Sequence, residues 1–159
     1  DLAAKAALSH GHAISDTTGL ETALNDRMLK NAAVLTGAMN AADYEVAGAK
    51  LKDYAITINA RGNVTGAQTI DYSLGNYVTA TVTGATQLTV SNPPATGIAG
   101  GFTLELTNGG AYAITWMSGI KWPNGIAPTL TSSGVDILSF TTRDGGATWR
   151  GLLAIKDYK

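Results

Sequence analysis

Cysteine is absent from this chain of 159 residues, and histidine occurs only twice, as His10 and His12. Without thiols there is no disulfide framework, no thiolate nucleophile and no cysteine-ligated zinc, so stability in an oxidising setting has to come from packing. Charge is scarce as well: charged residues are 14% of the chain and the net charge is −1. That leaves no basic field for nucleic acid and no acidic tail. No run approaches the roughly 20 apolar residues of a membrane span, and no signal-peptide pattern opens the chain, so no membrane insertion is expected. The first residue is Asp1 rather than methionine, and the chain reads as the C-terminal or processed part of something longer. Aromatics are few, at 7%, whereas alanine, threonine and the 19 glycines are plentiful. This mixture suits β structure with tight turns and close-packed narrow chains better than one thick globular core.

Motifs of catalysis are missing too. No Gly-x-x-x-x-Gly-Lys phosphate loop and no Gly-x-Ser-x-Gly elbow occurs, and Gly100-Gly101 precedes a strand pattern rather than a helix. Paired carboxylates could hydrolyse sugars, and Asp71, Glu105, Asp136 and Asp144 are available. Glu105 and Asp136 are expected to point outward from strands, however, and Asp144 belongs to a turn. The expectation is therefore not an enzyme.

The N-terminal third carries helical signals. Asp1 to Leu8 is alanine-rich and too short to stand alone as a helix. Thr18 and Glu21 have capping-box spacing, and Leu20, Leu24 and Met28 recur every four residues as a thin apolar seam. A seam this narrow buries little in a monomer and makes sense against copies of itself. Between the helices, His10 and His12 are two residues apart, a spacing that puts both imidazoles on one face of an extended segment. Two ligands do not make a site, but three chains on an axis supply six imidazoles, which fit octahedral Fe(II), Ni(II) or Co(II) better than tetrahedral zinc. Taken alone, His-Gly-His is as readily a polar joint between two elements. From Asn31 to Ala55 short extended runs are broken by glycine and asparagine, a pattern that fits strands interleaved between chains.

Several segments, in this order, resemble bacteriophage tail fibres. Ser9-His10-Gly11-His12-Ala13-Ile14-Ser15-Asp16-Thr17-Thr18-Gly19-Leu20 resembles their His-x-His segment followed by Ile-x-Asp-x-Thr-Gly-Leu. Leu35-Thr36-Gly37-Ala38-Met39-Asn40-Ala41-Ala42-Asp43 is similar to a joint in the same proteins, and Leu51-Lys52-Asp53-Tyr54-Ala55 and Asp144-Gly145-Gly146-Ala147-Thr148-Trp149 are similar to their terminal domain. The resemblance implies a homotrimeric virion fibre whose distal end recognises the host surface. It also implies one axial metal ion per trimer, held by His10 and His12 of each chain, with iron as the occupant. Fibre regions rich in metal carry many His-x-His pairs, whereas this chain has one.

The remainder is β by alternation. Val78, Ala80 and Val82 share one face, as do Phe102, Leu104 and Leu106, then Tyr112, Ile114 and Trp116, then Trp149, Gly151, Leu153 and Ile155. Turn chemistry separates these runs at Arg61-Gly62-Asn63, Asn92-Pro93-Pro94, Asn108-Gly109-Gly110, Pro123-Asn124-Gly125 and Asp144-Gly145-Gly146. Short strands at this spacing predict an antiparallel sandwich with a two-sheet core from about Tyr54 to Ile155. The expected fold is thus mainly β: a trimeric stem over 1–53, leading to a C-terminal β-sandwich tip over 54–159.

For ligand binding the sequence offers aromatic and polar groups. Lys121, Trp122 and Asn124 lie in one loop that combines a cation, a stacking ring and an amide, and Trp149 with Arg150 follows the Asp144 turn. Trp149 is expected in the core, while Trp122 is either a core plug or a sugar platform. The functional expectation is host attachment through a surface polysaccharide or outer-membrane component. A purely structural fibre or capsid-decoration element is the alternative, and a polysaccharide depolymerase a distant third.

Overall fold

A computed structural model describes residues 52–159. The helical stem, the interleaved strands and the His10–His12 pair lie outside the described residues. Strands make up more than half of what is described: β1 (Ile58–Asp71), β2 (Tyr77–Ser91), β3 (Gly100–Thr107), β4 (Ile114–Thr115), β5 (Ile120–Lys121), β6 (Val135–Thr142) and β7 (Trp149–Tyr158). Mainly β is what the alternation predicts. The pairing, however, is not that of an antiparallel sandwich. The strands form one mixed sheet in the order β1-β2-β3-β6-β7-β5, with β4 beside β2. β1 with β2, β2 with β3, β2 with β4 and β5 with β7 are all parallel, and only β3–β6 and β6–β7 are antiparallel.

Parallel neighbours joined by so short a link as Tyr72–Asn76 require a strand that doubles back on itself. β1 does so. Its register against β2 slips between Ala60 and Asn63 and again between Val64 and Gly66, and Gly62 and Gly66 there take φ of 63° and 68°. These bulges bend the strand until its ends meet, so that Asn59 Nδ2 donates to the Asp71 carbonyl at 3.0 Å. β2 lies in register on this coil along both arms. β3 then continues the stack on the first arm and β4 on the second, with Tyr77 opposite Thr103 and Thr86 opposite Ile114. The result is a short stack of coils, as in a solenoid, closed by the antiparallel pair β6–β7.

Alternation decides which side chains go inside. The inward row Val78–Leu104–Leu138–Leu153 crosses four strands in register, and the row Phe102–Phe140–Gly151 lies beside it. Val78, Leu104, Leu138 and Phe140 are essentially inaccessible to solvent. Removing such a side chain to alanine costs about 2–5 kcal/mol. The core is narrower than the expected span: Tyr54 is 72% exposed and Ile155 is 45% exposed. Ile155 turns out of the core because the β6–β7 register shifts between Ile137 and Leu138, which breaks the parity carried from Trp149 to Leu153. The Tyr112–Trp116 run contributes only the two-residue β4, and Tyr112 is exposed.

Candidate functional site

The candidate site forms where β5 leaves the sheet. β5 pairs with β7 only at Ile120–Trp149 and Lys121–Arg150. Pro123, which has no N–H to give to a ladder, then opens a 3₁₀ turn over Pro123–Gly125. The departing chain leaves an open cleft of about 400 Å³ along β7.

Trp122 forms its inner wall. Extended backbone at Trp122 sends Lys121 and Trp122 to opposite sides, Lys121 exposed and the indole half-buried. The ring meets Trp116 edge-on at a centroid distance of 5.1 Å and Phe140 edge-on at 5.8 Å. Phe140 stacks on Phe102 at 4.9 Å, and Phe102 meets the buried Trp149 at 5.4 Å. Trp122 is therefore the outer member of an aromatic cluster that runs from the core to the cleft. Its seat is Gly151, where an added Cβ would come within 2.6 Å of Trp122 Cζ3.

Polar groups complete the cleft. Lys121, Arg150 and Thr141 are register partners across β5, β7 and β6, which sets two cations and a hydroxyl in one row on the outer face. Ser139 lies in the next outward row opposite Leu152, and both line the cleft. No lining residue is acidic. A second hollow of about 420 Å³, walled by Ile56, Thr57 and Tyr72–Asn76, has no charged side chain and less chemistry to offer.

Of the loop residues read from sequence, Lys121 and Trp122 line the cleft and Asn124 does not. Asn124 sits exposed in the following turn with φ 55° and ψ 17°, a left-handed conformation that asparagine tolerates. Trp149 is 2% exposed, a core residue as expected. Ser139 and Thr141 carried no signal in the sequence, because only the β6–β7 pairing brings them to this loop.

The carboxylates considered for hydrolysis are engaged elsewhere. Asp144 accepts from Thr148 N and Thr142 Oγ1, both at 2.9 Å, and the Thr148 amide is the main cause holding its pKa below the usual range. Asp71 accepts from Asn92 Nδ2 at 2.9 Å and from Ser73 Oγ at 2.7 Å, and these bonds, Asn92 first, likewise lower its pKa. Glu105 does face outward, where it accepts from the Tyr77 hydroxyl at 2.7 Å. That bond, and then burial, raises the Tyr77 pKa. Asp136 does not face outward. It is 0% exposed, shares the inward parity of Leu138 and Phe140, and accepts from Thr131 N at 2.6 Å, Thr131 Oγ1 at 2.8 Å and Asp157 N at 3.0 Å. The expectation failed because three donors satisfy this carboxylate inside the fold, where parity overrides polarity.

No family model, curated protein or solved structure matches this chain. The functional reading rests on the cleft and on the sequence motifs. Among the described residues no three His, Cys, Asp or Glu side chains come together, and the metal expectation concerns His10 and His12, outside them.

Proposed function

We propose that the chain is the distal part of a homotrimeric bacteriophage tail fibre, and that its β domain attaches the virion to a saccharide on the host surface. The carrying observation is the cleft, which Trp122, half-buried against the core, lines together with Lys121, Arg150, Ser139 and Thr141. Sugar rings offer apolar C–H faces and a rim of hydroxyls, and an aromatic wall with hydrogen-bonding neighbours complements both. An open cleft binds weakly on its own, and three copies on one fibre turn the second and third contacts into intramolecular ones. Binding without turnover is supported by the four carboxylates, each hydrogen-bonded elsewhere and none lining the cleft.

The test is adsorption of the labelled full chain to host cells. Trp122→Ala is expected to lower adsorption at least tenfold. Ser139→Tyr, which fills the cleft from the solvent side without touching the core, should do the same while the melting temperature holds. Undiminished adsorption by folded Ser139→Tyr would remove the cleft from the attachment surface.

A structural fibre or decoration element is the second reading, and one observation favours it. The outer face of the sheet carries Ile58, Leu152, Ile155 and Tyr158, 45–61% exposed, in excess of what scattered surface residues require. In the attachment reading Leu152 belongs to the cleft, and Ile58, Ile155 and Tyr158, which do not line it, serve trimer contacts. Assembly without any adsorption to host cells would favour the structural element.

A further inference from the structure

We infer that the cleft selects acidic saccharides, those bearing a carboxylate or phosphate, over neutral ones. This deepens the attachment reading and rests on it. Lys121 and Arg150 are direct register partners on parallel strands, both exposed and both lining the cleft. Like charges side by side on one sheet face repel, and proteins ordinarily relieve that with a neighbouring carboxylate. None is present here. No lining residue is acidic, and among the described residues the only ion pair is Lys159 with Asp157 at 3.0 Å, with neither cleft cation in it. The row continues from Arg150 to Thr141, and its outward neighbour is Ser139. An anionic group placed between Lys121 and Arg150 relieves the repulsion and accepts charge-assisted hydrogen bonds, with the rest of the saccharide lying along the cleft that Trp122, Ser139 and Leu152 also line. A neutral sugar gains the ring contact and the hydroxyl bonds but leaves the two cations uncompensated. The guanidinium is suited to a planar carboxylate or a phosphate alike, so the site selects the charge and not which of the two carries it.

The experiment is binding of the full chain to immobilised polygalacturonate, phosphomannan and neutral dextran, at low and physiological salt. Wild type is expected to retain at least one acidic polymer ten times more tightly than dextran, with affinity falling as salt rises. The polymer that binds identifies the acidic group. Arg150→Gln and Lys121→Gln are each expected to weaken acidic binding about threefold to tenfold without lowering the melting temperature, since each removes one side of a repulsive pair. Dextran bound as tightly as both acidic polymers, or acidic binding unchanged in both variants, overturns the charge selection and leaves saccharide attachment standing. Failure to bind any of the three, together with undiminished adsorption by Ser139→Tyr, removes the cleft as the saccharide site and overturns the charge selection with it.

Discussion

Replacing Gly151 by alanine adds one carbon at the seat of Trp122 and so tests how the cleft wall is held. The added Cβ would lie 2.6 Å from Trp122 Cζ3, 2.9 Å from Cη2 and 3.0 Å from Phe140 Cε1. Carbon atoms settle at about 3.5–4.0 Å, so the indole has to retreat by about 1 Å. It cannot do so freely, since Trp116 holds it edge-on from another side at 5.1 Å. Gly151 is not among the positive-φ residues, so alanine brings no backbone strain, and it lowers the entropy of the unfolded chain by a few tenths to 1 kcal/mol. Overpacking of this kind costs about 1–3 kcal/mol, which outweighs that gain. For a domain of this size the melting temperature should fall by roughly 5–15 °C. Scanning fluorimetry measures it, and tryptophan emission reports the displaced ring. Saccharide binding should weaken with it, because the wall has moved. A Gly151→Ala protein that melts and emits like wild type would refute the seating of Trp122 on Gly151.

Further outcomes follow from the same structure. Asp136→Asn sets an amide N–H₂ against one of the backbone N–H groups of Thr131 or Asp157, and should cost about 2–4 kcal/mol by chemical denaturation, with faster hydrogen exchange at the end of β7. Asp71 and Asp144 have lowered pKa values in the folded state. Their contribution to stability is therefore complete above the unfolded carboxylate pKa of about 4 and is lost as pH falls through the lower folded values. Melting curves from pH 6 to 2 should show that loss, and it should flatten in the Asp71→Asn/Asp144→Asn double variant. If His10 and His12 hold an axial ion, elemental analysis of the trimer gives one metal per three chains. Occupancy then falls well below pH 6.5, where imidazole protonates, and a stoichiometric absence in protein never exposed to acid or chelator removes the site.

The legible part of this fold is the part encoded by period two. Phe102, Leu104 and Leu106 read as inward-facing and are buried, and Asn92, Asn108 and Asp144-Gly145-Gly146 read as turns and are turns, with left-handed backbone at both asparagines and both glycines. Strand direction was not legible, because side-chain alternation is the same in parallel and antiparallel ladders. The bend that makes parallel stacking possible depends on two bulges in β1, and Arg61-Gly62-Asn63 reads as an ordinary turn between strands rather than as a corner inside one. At Asp136 the charge reads as outward-facing, whereas its parity with Leu138 and Phe140 puts it inside, where Thr131 and Asp157 satisfy it. At the cleft, Lys121 and Trp122 were visible as a loop motif and Arg150 as a basic neighbour. Ser139 and Thr141 enter only through the β6–β7 register, which no local pattern specifies.

The most direct test of the account is to watch the three tryptophan indoles while a saccharide binds. Each gives one resolved ¹H–¹⁵N signal, assigned by single Trp→Phe variants, during titration of the full chain with oligosaccharides cut from the host surface. The Trp122 signal is expected to shift progressively and saturate, while that of Trp149, 2% exposed in the core, stays in place. Saturable binding that leaves Trp122 unmoved would contradict it.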